Sequence, residues 1–360
     1  MGSCRDTMCA VSERKEYNYN IALIKAFMAY CVVCCHFWKY DSEGFYPADV
    51  LLRMRDVAAP VFMVVSFLLT YRMFRKAEAG KLGKRMLRLA VPQVTWGLIY
   101  YVIYVAVDKI CLALGKDSPL ILHFIFKDLI LQLVFGGSQY IAPQFWFQFD
   151  LIVATLLFWC VCKFCGKYSR YVIAALGVFA LLAQYMLWNY NIFCHFEYAV
   201  WYAGGRFAEM LPFAAAGFIL ADADIMEKLK QKWVLTAASC AAIMLLISYV
   251  ASIPRPLYGF AYEGGNLLLY GVLAFMLLYV LPVSKLPAAV LSVLKFLSRY
   301  SFGVFCIHYI FGWYWSEAVC ASLGWKDGTQ LQCLVLYAVS VLLAWLISLI
   351  PSKFAKMLVE

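Results

Sequence analysis

The chain has 360 residues, of which 65% are hydrophobic and only 14% are charged, and its formal net charge at pH 7 is +10. Its mean hydropathy of +0.76 excludes a water-soluble globular domain, because a chain this apolar cannot cover its own surface with polar groups. The basic residues are not clustered on one soluble face, so the charge does not indicate nucleic-acid binding. Most of the 14 cysteines lie in apolar runs, where thiols behave as small hydrophobic groups, and no metal site is predicted.

Ten apolar runs are candidates for membrane-spanning helices, since about 20 helical residues cross the roughly 30 Å hydrocarbon core of a bilayer. They cover approximately residues 20–38, 57–71, 89–107, 145–162, 170–188, 207–221, 233–252, 264–282, 298–315 and 331–350. Residues 119–135 are also apolar but are interrupted by His123, Lys127 and Asp128, which predicts an interfacial or re-entrant helix. The sequence therefore predicts an all-α integral membrane protein with about ten transmembrane helices.

The basic residues of the loops predict how the helices are oriented. With the N-terminus in the cytoplasm, the cytoplasmic segments hold 21 of the 31 Lys and Arg residues, and the segments on the opposite side hold nine. This bias follows the positive-inside rule and predicts that both termini are cytoplasmic. The predicted organisation is a polar cytoplasmic N-terminal tail, a ten-span membrane domain and a short cytoplasmic C-terminal tail, at residues 1–19, 20–352 and 353–360.

The first predicted span contains Lys25 and, eleven residues later, His36. A charge at the centre of a span costs about 3 kcal/mol or more, so such a residue is a candidate for function. Eleven residues at about 100° each end roughly 20° past three full turns, which places both side chains on one stripe, about 16 Å apart along the helix. Two alternatives stay open on spacing alone. Lys25 can reach the lipid headgroups, and His36 can be an ordinary interfacial histidine.

Six segments carry a resemblance to a known family. In chain order they are IALIKAFMAYCVVCCHFW, PVFMVVSFLLTYR, RMLRLAVP, FWFQFDL, RFAEMLPFAAAGFIL and SRYSFGVFCIH. The first resembles the opening span of acyltransferase family three, a family of membrane O-acyltransferases whose signature is Arg or Lys, ten residues, then His; Lys25 and His36 match it. The second is similar to the family's second span, except that Phe67 replaces the glycine usual after the serine. The ordered set covers most of the chain, and the family is a ten-span one.

The resemblance implies transfer of an acyl group, commonly acetyl from cytosolic acetyl-CoA, to a hydroxyl of a glycan or lipid-linked sugar. His36 is then the expected general base or a transient acyl carrier, because a neutral imidazole suits this role at pH 7. Lys25 is expected to stabilise developing oxyanion charge or an anionic part of the donor. The expected partners are acyl-CoA, a saccharide or lipid-linked glycan acceptor and the lipid bilayer, with no metal and no nucleic acid. The expected location is the bacterial cytoplasmic membrane.

Other polar residues extend the candidate site. Asp150 lies one turn from Trp146 on the same helix face, and it is predicted to pair with Lys25 or a histidine, or to hold acceptor hydroxyls. Trp146 can stack on a sugar ring, although a place in an interfacial aromatic belt is an equal alternative. His308, near the middle of the ninth span, and Arg206 are predicted to bind substrate. For His308 the alternative is an ordinary hydrogen bond between helices.

Two arginines, Arg85 and Arg88, lie beside the cytoplasmic end of the third predicted span. They are predicted to bind the phosphates of CoA through charge-assisted hydrogen bonds, and the alternative is that they only set the topology.

The main alternative function is a polytopic transporter or flippase of a lipid-linked sugar, since intramembrane charges and ten spans fit both classes. The two halves of the chain show no correspondence, which lowers but does not remove that alternative. A membrane sensor is a third class, and no fused domain supports it.

Overall fold

The structure, a computed structural model, describes residues 17–38, 53–115, 126–135, 142–189, 198–221, 223–252, 265–314, 322–324 and 328–360. Every regular element in these ranges is a helix. Numbered α1 to α14 in chain order, the α-helices are Tyr19–Phe37, Ala58–Arg75, Ala79–Ala113, Phe126–Phe135, Trp146–Cys165, Ser169–Asn189, Tyr198–Leu220, Ala223–Gln231, Trp233–Ser252, Gly265–Val280, Ala288–Arg299, Ser301–Tyr314, Gln330–Ser348 and Lys353–Val359.

Local sequence explains where α1 begins and ends. The side chain of Asn18 caps the helix by accepting a hydrogen bond from the backbone N–H of Ile21 at 3.1 Å. The helix ends at Phe37, because Trp38 has an extended backbone. Its 19 residues include no glycine and no proline. They span about 28 Å, which is close to the thickness of the hydrocarbon core.

Helix α1 lies at the centre of the bundle, where it packs against α2, α10, α11, α12 and α13. The amide of Asn20 donates a hydrogen bond to the carbonyl oxygen of Leu281 at 2.6 Å. The hydroxyl of Tyr337 donates to the carbonyl oxygen of Ala26 at 3.2 Å. Hydrogen bonds between membrane helices fix one helix against another, so these contacts hold α1, and the side chains it carries, at a set height.

Six helical stretches among the described residues are long and apolar enough to cross a membrane, or up to eight if each of two bent helix pairs counts as one span. One of the six, Trp146–Gln184, contains α5 and most of α6 and is interrupted at Gly166, whose φ is 49°. The bent pairs join α8 to α9 and α11 to α12. The all-α membrane fold predicted from the sequence is confirmed, whereas the count of ten spans and the cytoplasmic position of both termini are not.

Two predicted segments outside the main spans also have a described structure. Helix α4, within the predicted interfacial segment, has 10 residues and is therefore about 15 Å long, half of what a span needs. Residues 119–125 of that segment and residues 1–16 of the predicted N-terminal tail lie outside the described residues. The predicted C-terminal tail forms α14, which packs on α3, α12 and α13 and buries Leu358 and Val359.

Candidate functional site

Two cavities lie along α1. We name them the His36 cavity, of about 280 Å³, and the Lys25 cavity, of about 210 Å³, after the residues that line them. Helices α1, α2, α5 and α12 contribute to both linings. Because Lys25 and His36 are eleven residues apart on one helix, they lie about 16 Å apart along its axis. The two residues that the sequence places on one stripe therefore reach two different cavities.

The His36 cavity has a polar wall. His36 is an exposed residue, and it lines this cavity. Two arginines, an amide and an indole line the same space: Arg55, Arg206, Gln144 and Trp146. Two of the predicted substrate-binding residues, Trp146 and Arg206, are thus brought together with His36.

Both arginines of the His36 cavity have a carboxylate beside them. Arg55 Nε lies 3.1 Å from Asp56 Oδ1, and Arg206 Nη1 lies 3.1 Å from Glu209 Oε2. The guanidinium of Arg206 also lies over the ring of Trp146, with Cζ 5.1 Å from the ring centroid. The two positive charges are therefore neutralised locally, and the Trp146 ring is held in place by a cation–π contact.

Gln144 has one hydrogen-bonding atom to spare. Its Nε2 donates a hydrogen bond to the hydroxyl of Tyr100 at 2.7 Å, and the Tyr100 hydroxyl donates to the carbonyl oxygen of Cys306 at 2.8 Å. The Oε1 of Gln144 has no partner among the described residues, although it is buried. A buried acceptor without a partner is costly, so this oxygen is an unsatisfied acceptor beside the cavity.

His308 packs behind His36. Their ring centroids are 5.2 Å apart, and His308 is fully buried and does not line either cavity. Nδ1 of His308 lies 2.9 Å from the carbonyl oxygen of Val304, which can only accept, so Nδ1 carries the hydrogen and Nε2 carries a lone pair. Within the described part of the chain Nε2 has no partner. The structure therefore brings His308 to His36 rather than to the cavity wall.

The Lys25 cavity is mostly apolar. Its polar lining residues are Lys25, Ser66, Gln148 and Ser301. The amide of Gln148 donates to the carbonyl oxygen of Leu89, and its buried Oε1 has no partner in the ranges that the structure describes. Lys25 forms no ion pair with any described carboxylate. The cavity thus offers one ammonium group and one free acceptor in an apolar surround.

Arg85 adds a second cation beside the Lys25 cavity. Its guanidinium turns into the bundle and donates hydrogen bonds to Ser66 Oγ at 2.7 Å and to Thr155 Oγ1 at 3.0 Å. It lies over the ring of Phe67, the residue that departs from the family pattern, at 5.8 Å. No described carboxylate pairs with it. Arg88 is exposed on α3 and lines neither cavity, so the structure separates the two predicted phosphate-binding residues.

Asp150 is fully buried on α5, one turn from Trp146, and lines neither cavity. Neither of its carboxyl oxygens has a hydrogen-bond partner among the described residues. Arg206 and Glu209 are the charged residues that act on it electrostatically. The sequence predicted a pair between Asp150 and Lys25 or a histidine, and among the described residues no such pair is present. The charged neighbours of Asp150 belong to the His36 side of the bundle.

Several residues that line the cavities were not predicted from the sequence. Arg55 is one of two arginines in the segment before α2, and its place in the His36 cavity depends on the packing of distant helices. Gln144 and Gln148 had a usable signal, since an amide within a run of apolar residues needs a hydrogen-bond partner. Phe147 and Phe305 line both cavities, and although both lie in segments that resemble the family, the sequence does not show that they face a cavity.

No group of three His, Cys, Asp or Glu residues in the described part of the chain is arranged to hold a metal ion.

Comparisons with known proteins identify the family of the chain. No curated protein and no solved structure matches the chain significantly. Residues 18–349 match a family model described as an acyltransferase domain. That match covers nearly the whole chain, and with the apolar helices it identifies a membrane acyltransferase. The chain therefore belongs to acyltransferase family three.

Proposed function

We propose that this membrane acyltransferase moves an acyl group, acetyl in the simplest case, from cytosolic acyl-CoA to a hydroxyl of a cell-surface or lipid-linked saccharide. The observation that carries the proposal is the difference in charge between two cavities on one helix. The proposal includes the topology predicted from the sequence, with ten spans and both termini in the cytoplasm of a bacterial cell. The Lys25 cavity then lies toward the cytoplasm, where acyl-CoA is available, and the His36 cavity lies toward the opposite side.

The Lys25 cavity supports a role in donor binding. The donor carries several phosphate groups, and Lys25 and Arg85 are two cations without a described carboxylate partner. Such cations bind anionic groups more strongly in an apolar surround than in water. The free Oε1 of Gln148 can accept a hydrogen from an amide of the pantetheine arm, while the apolar walls enclose the rest of it.

The His36 cavity supports a role in acceptor binding and in proton transfer. The ring of Trp146, held under Arg206, offers a stacking surface to a sugar. The free Oε1 of Gln144 can accept a hydrogen bond from one of the sugar hydroxyls. Because the arginines of this cavity already have carboxylate partners, the cavity favours a neutral, hydroxyl-rich molecule over a strong anion.

The chemistry follows from these two roles. The acceptor oxygen attacks the thioester carbonyl carbon, the new C–O bond forms, and the C–S bond to CoA breaks. His36 takes the hydroxyl proton, which finally reaches the departing CoA thiolate. His308 supports this step from the adjacent position, where its ring centroid lies 5.2 Å from that of His36 and its Nε2 has no described partner. A rotation of either ring brings this lone pair to the second N–H of His36 and leaves the nitrogen facing the cavity unprotonated.

The test of the proposed function uses the purified full-length protein with acetyl-CoA labelled in its acetyl group and with membrane glycans as acceptor. We expect label to move to the glycan and to be released by mild alkali, because O-esters are alkali-labile and amides are not. The matched control is His36→Ala protein of equal folded yield. Unchanged acetyl-CoA, or an alkali-resistant product, would contradict O-acyl transfer. A transporter would leave the thioester intact, and the family match gives that alternative no support.

A further inference from the structure

The two cavities have two lining residues in common among the described residues, Phe147 of α5 and Phe305 of α12. Residues that line two neighbouring cavities form the wall between them. Both residues are almost fully buried, with exposed fractions of 7% for Phe147 and 9% for Phe305. We call this pair the aromatic partition.

The two rings of the aromatic partition are in contact with each other. The ring centroids of Phe147 and Phe305 are 5.9 Å apart with an interplanar angle of 64°, an edge-to-face contact at ordinary packing distance. Phe305 is supported by Phe302, at 6.2 Å and 20°, and by Phe145, at 5.7 Å and 77°. At these separations the rings are in contact, so a group passes between them only after a side chain rotates.

The position of the partition matters because the proposed reactants lie on opposite sides of it. Lys25 lines one cavity and His36 lines the other. An acyl thioester held in the Lys25 cavity must bring its carbonyl carbon to the acceptor oxygen in the His36 cavity. The acyl group is the leading end of the donor, so it is the part that must pass the two rings.

From this arrangement we infer that Phe147 and Phe305 determine specificity for the acyl group, by limiting the size of the chain that crosses from the Lys25 cavity to the His36 cavity. The inference rests on the proposed acyl transfer. A passage bounded by two aromatic rings favours acetyl, which adds a single methyl beyond the carbonyl, over longer chains. One methylene in a tight apolar site changes kcat/KM by roughly 10- to 200-fold, so the effect is measurable.

The experiment compares acetyl-, propionyl- and butyryl-CoA as donors for the same acceptor. In Phe305→Ala and Phe147→Ala proteins we expect the butyryl-to-acetyl ratio of kcat/KM to rise by about tenfold or more. Phe305→Leu, a milder change, should raise it less, which keeps the test available if the alanine variants fold poorly. Phe305→Trp should lower the propionyl-to-acetyl ratio, because a larger ring narrows the passage.

Phe145 provides the matched control. It is fully buried and contacts Phe305, but it lines neither cavity. Phe145→Leu should leave the ratio within about twofold of the wild type, since it loosens the same cluster without opening the partition. An unchanged ratio in every Phe147 and Phe305 variant, or an equal rise in Phe145→Leu, would overturn the inference while acyl transfer itself stands. A wild-type protein that transfers no acyl group from any of the three donors would overturn the proposed function and this inference together.

Discussion

The two cavities on α1 differ most in how their positive charges are compensated. In the His36 cavity each arginine lies 3.1 Å from a neighbouring carboxylate, Arg55 from Asp56 and Arg206 from Glu209. In the Lys25 cavity no described carboxylate pairs with Lys25 or with the adjacent Arg85, which is held by hydroxyl groups instead. Arginine is thus paired with a carboxylate in the His36 cavity and bound by hydroxyl groups beside the Lys25 cavity.

This difference shows how one helix can serve an anionic donor and a neutral acceptor. A cation that keeps no counter-ion in an apolar surround favours an anion, because the anion supplies the missing charge. A cation that is already paired contributes hydrogen bonds and a stacking contact, without a strong preference for charge. The contrast is the physical basis for assigning the donor to the Lys25 cavity and the acceptor to the His36 cavity.

The largest effect expected is that of His36→Ala. If His36 is the base, this change should lower kcat for acyl transfer by about 100-fold or more, since a general base contributes roughly 10²- to 10⁴-fold. Initial rates with labelled acetyl-CoA on protein of matched folded yield measure it. Retention of more than about a tenth of wild-type activity would remove His36 from that role.

Two controls make the His36 result specific. Cys35→Ala changes the neighbouring residue of the same cavity and should have little effect on kcat. Incubation with labelled acetyl-CoA in the absence of acceptor distinguishes the two chemical roles of His36. Label bound to the wild-type protein and absent from the alanine variant would indicate that His36 carries the acyl group.

The next largest effect on acyl transfer is expected for substitution of Lys25, in the other cavity. Lys25→Met keeps the length of the side chain and removes its charge, so we expect acyl transfer to fall by about tenfold or more, equivalent to ~1.4 kcal/mol of lost transition-state stabilisation. Lys25→Arg keeps the charge and should retain measurable activity. If the methionine variant matches the wild type, Lys25 is only an anchor toward the headgroups, and the charge contrast between the cavities carries no function.

A smaller effect is expected at His308, where two substitutions separate support of His36 from simple packing. His308→Gln keeps an acceptor oxygen and should stay within about threefold of the wild type in kcat. His308→Phe fills the space without an acceptor and should lower kcat by roughly tenfold, about the value of one hydrogen bond, with little change in either KM. If His308 has only a structural role, the kcat of His308→Phe should be higher than that of His308→Gln, because a fully buried site tolerates phenylalanine better than a polar amide.

The sequence predicted those parts of the site that depend on one helix. Lys25 and His36 were proposed because charged and titratable side chains are unusual in an apolar run and because helix periodicity places them on one stripe. Trp146 and Arg206 were proposed from family segments, and both line the His36 cavity. The existence of two cavities was not predicted, since periodicity gives the face of a helix and not what lies opposite each residue.

The other differences between the sequence-based predictions and the structure also arise because the packing of helices against one another cannot be read from one helix. Arg85 and Arg88 are one turn apart on α3, and only the packed bundle decides that Arg85 faces inward while Arg88 stays exposed. His308 was expected at the substrate, but the packing of α12 on α1 places it behind His36. Hydropathy identified the membrane helices, yet it could not count the spans, because bends between helices are tertiary features.

One arginine from each side of the bundle tests whether the two cavities bind different substrates. Arg85→Gln should raise the KM for acyl-CoA by about three- to tenfold, equivalent to ~0.7–1.4 kcal/mol, and leave the KM for the glycan unchanged. Arg206→Gln should raise the KM for the glycan and leave the KM for acyl-CoA unchanged, because the loss of the guanidinium removes the support of Trp146 on the acceptor side. Arg88→Gln, on the same helix but exposed, is the control and should change neither KM. Steady-state kinetics with each substrate varied at a saturating level of the other gives all six values. If both inward-facing variants raise the KM for the same substrate, the two cavities are not separate donor and acceptor sites, and the uncompensated charge of Arg85 then requires a structural explanation.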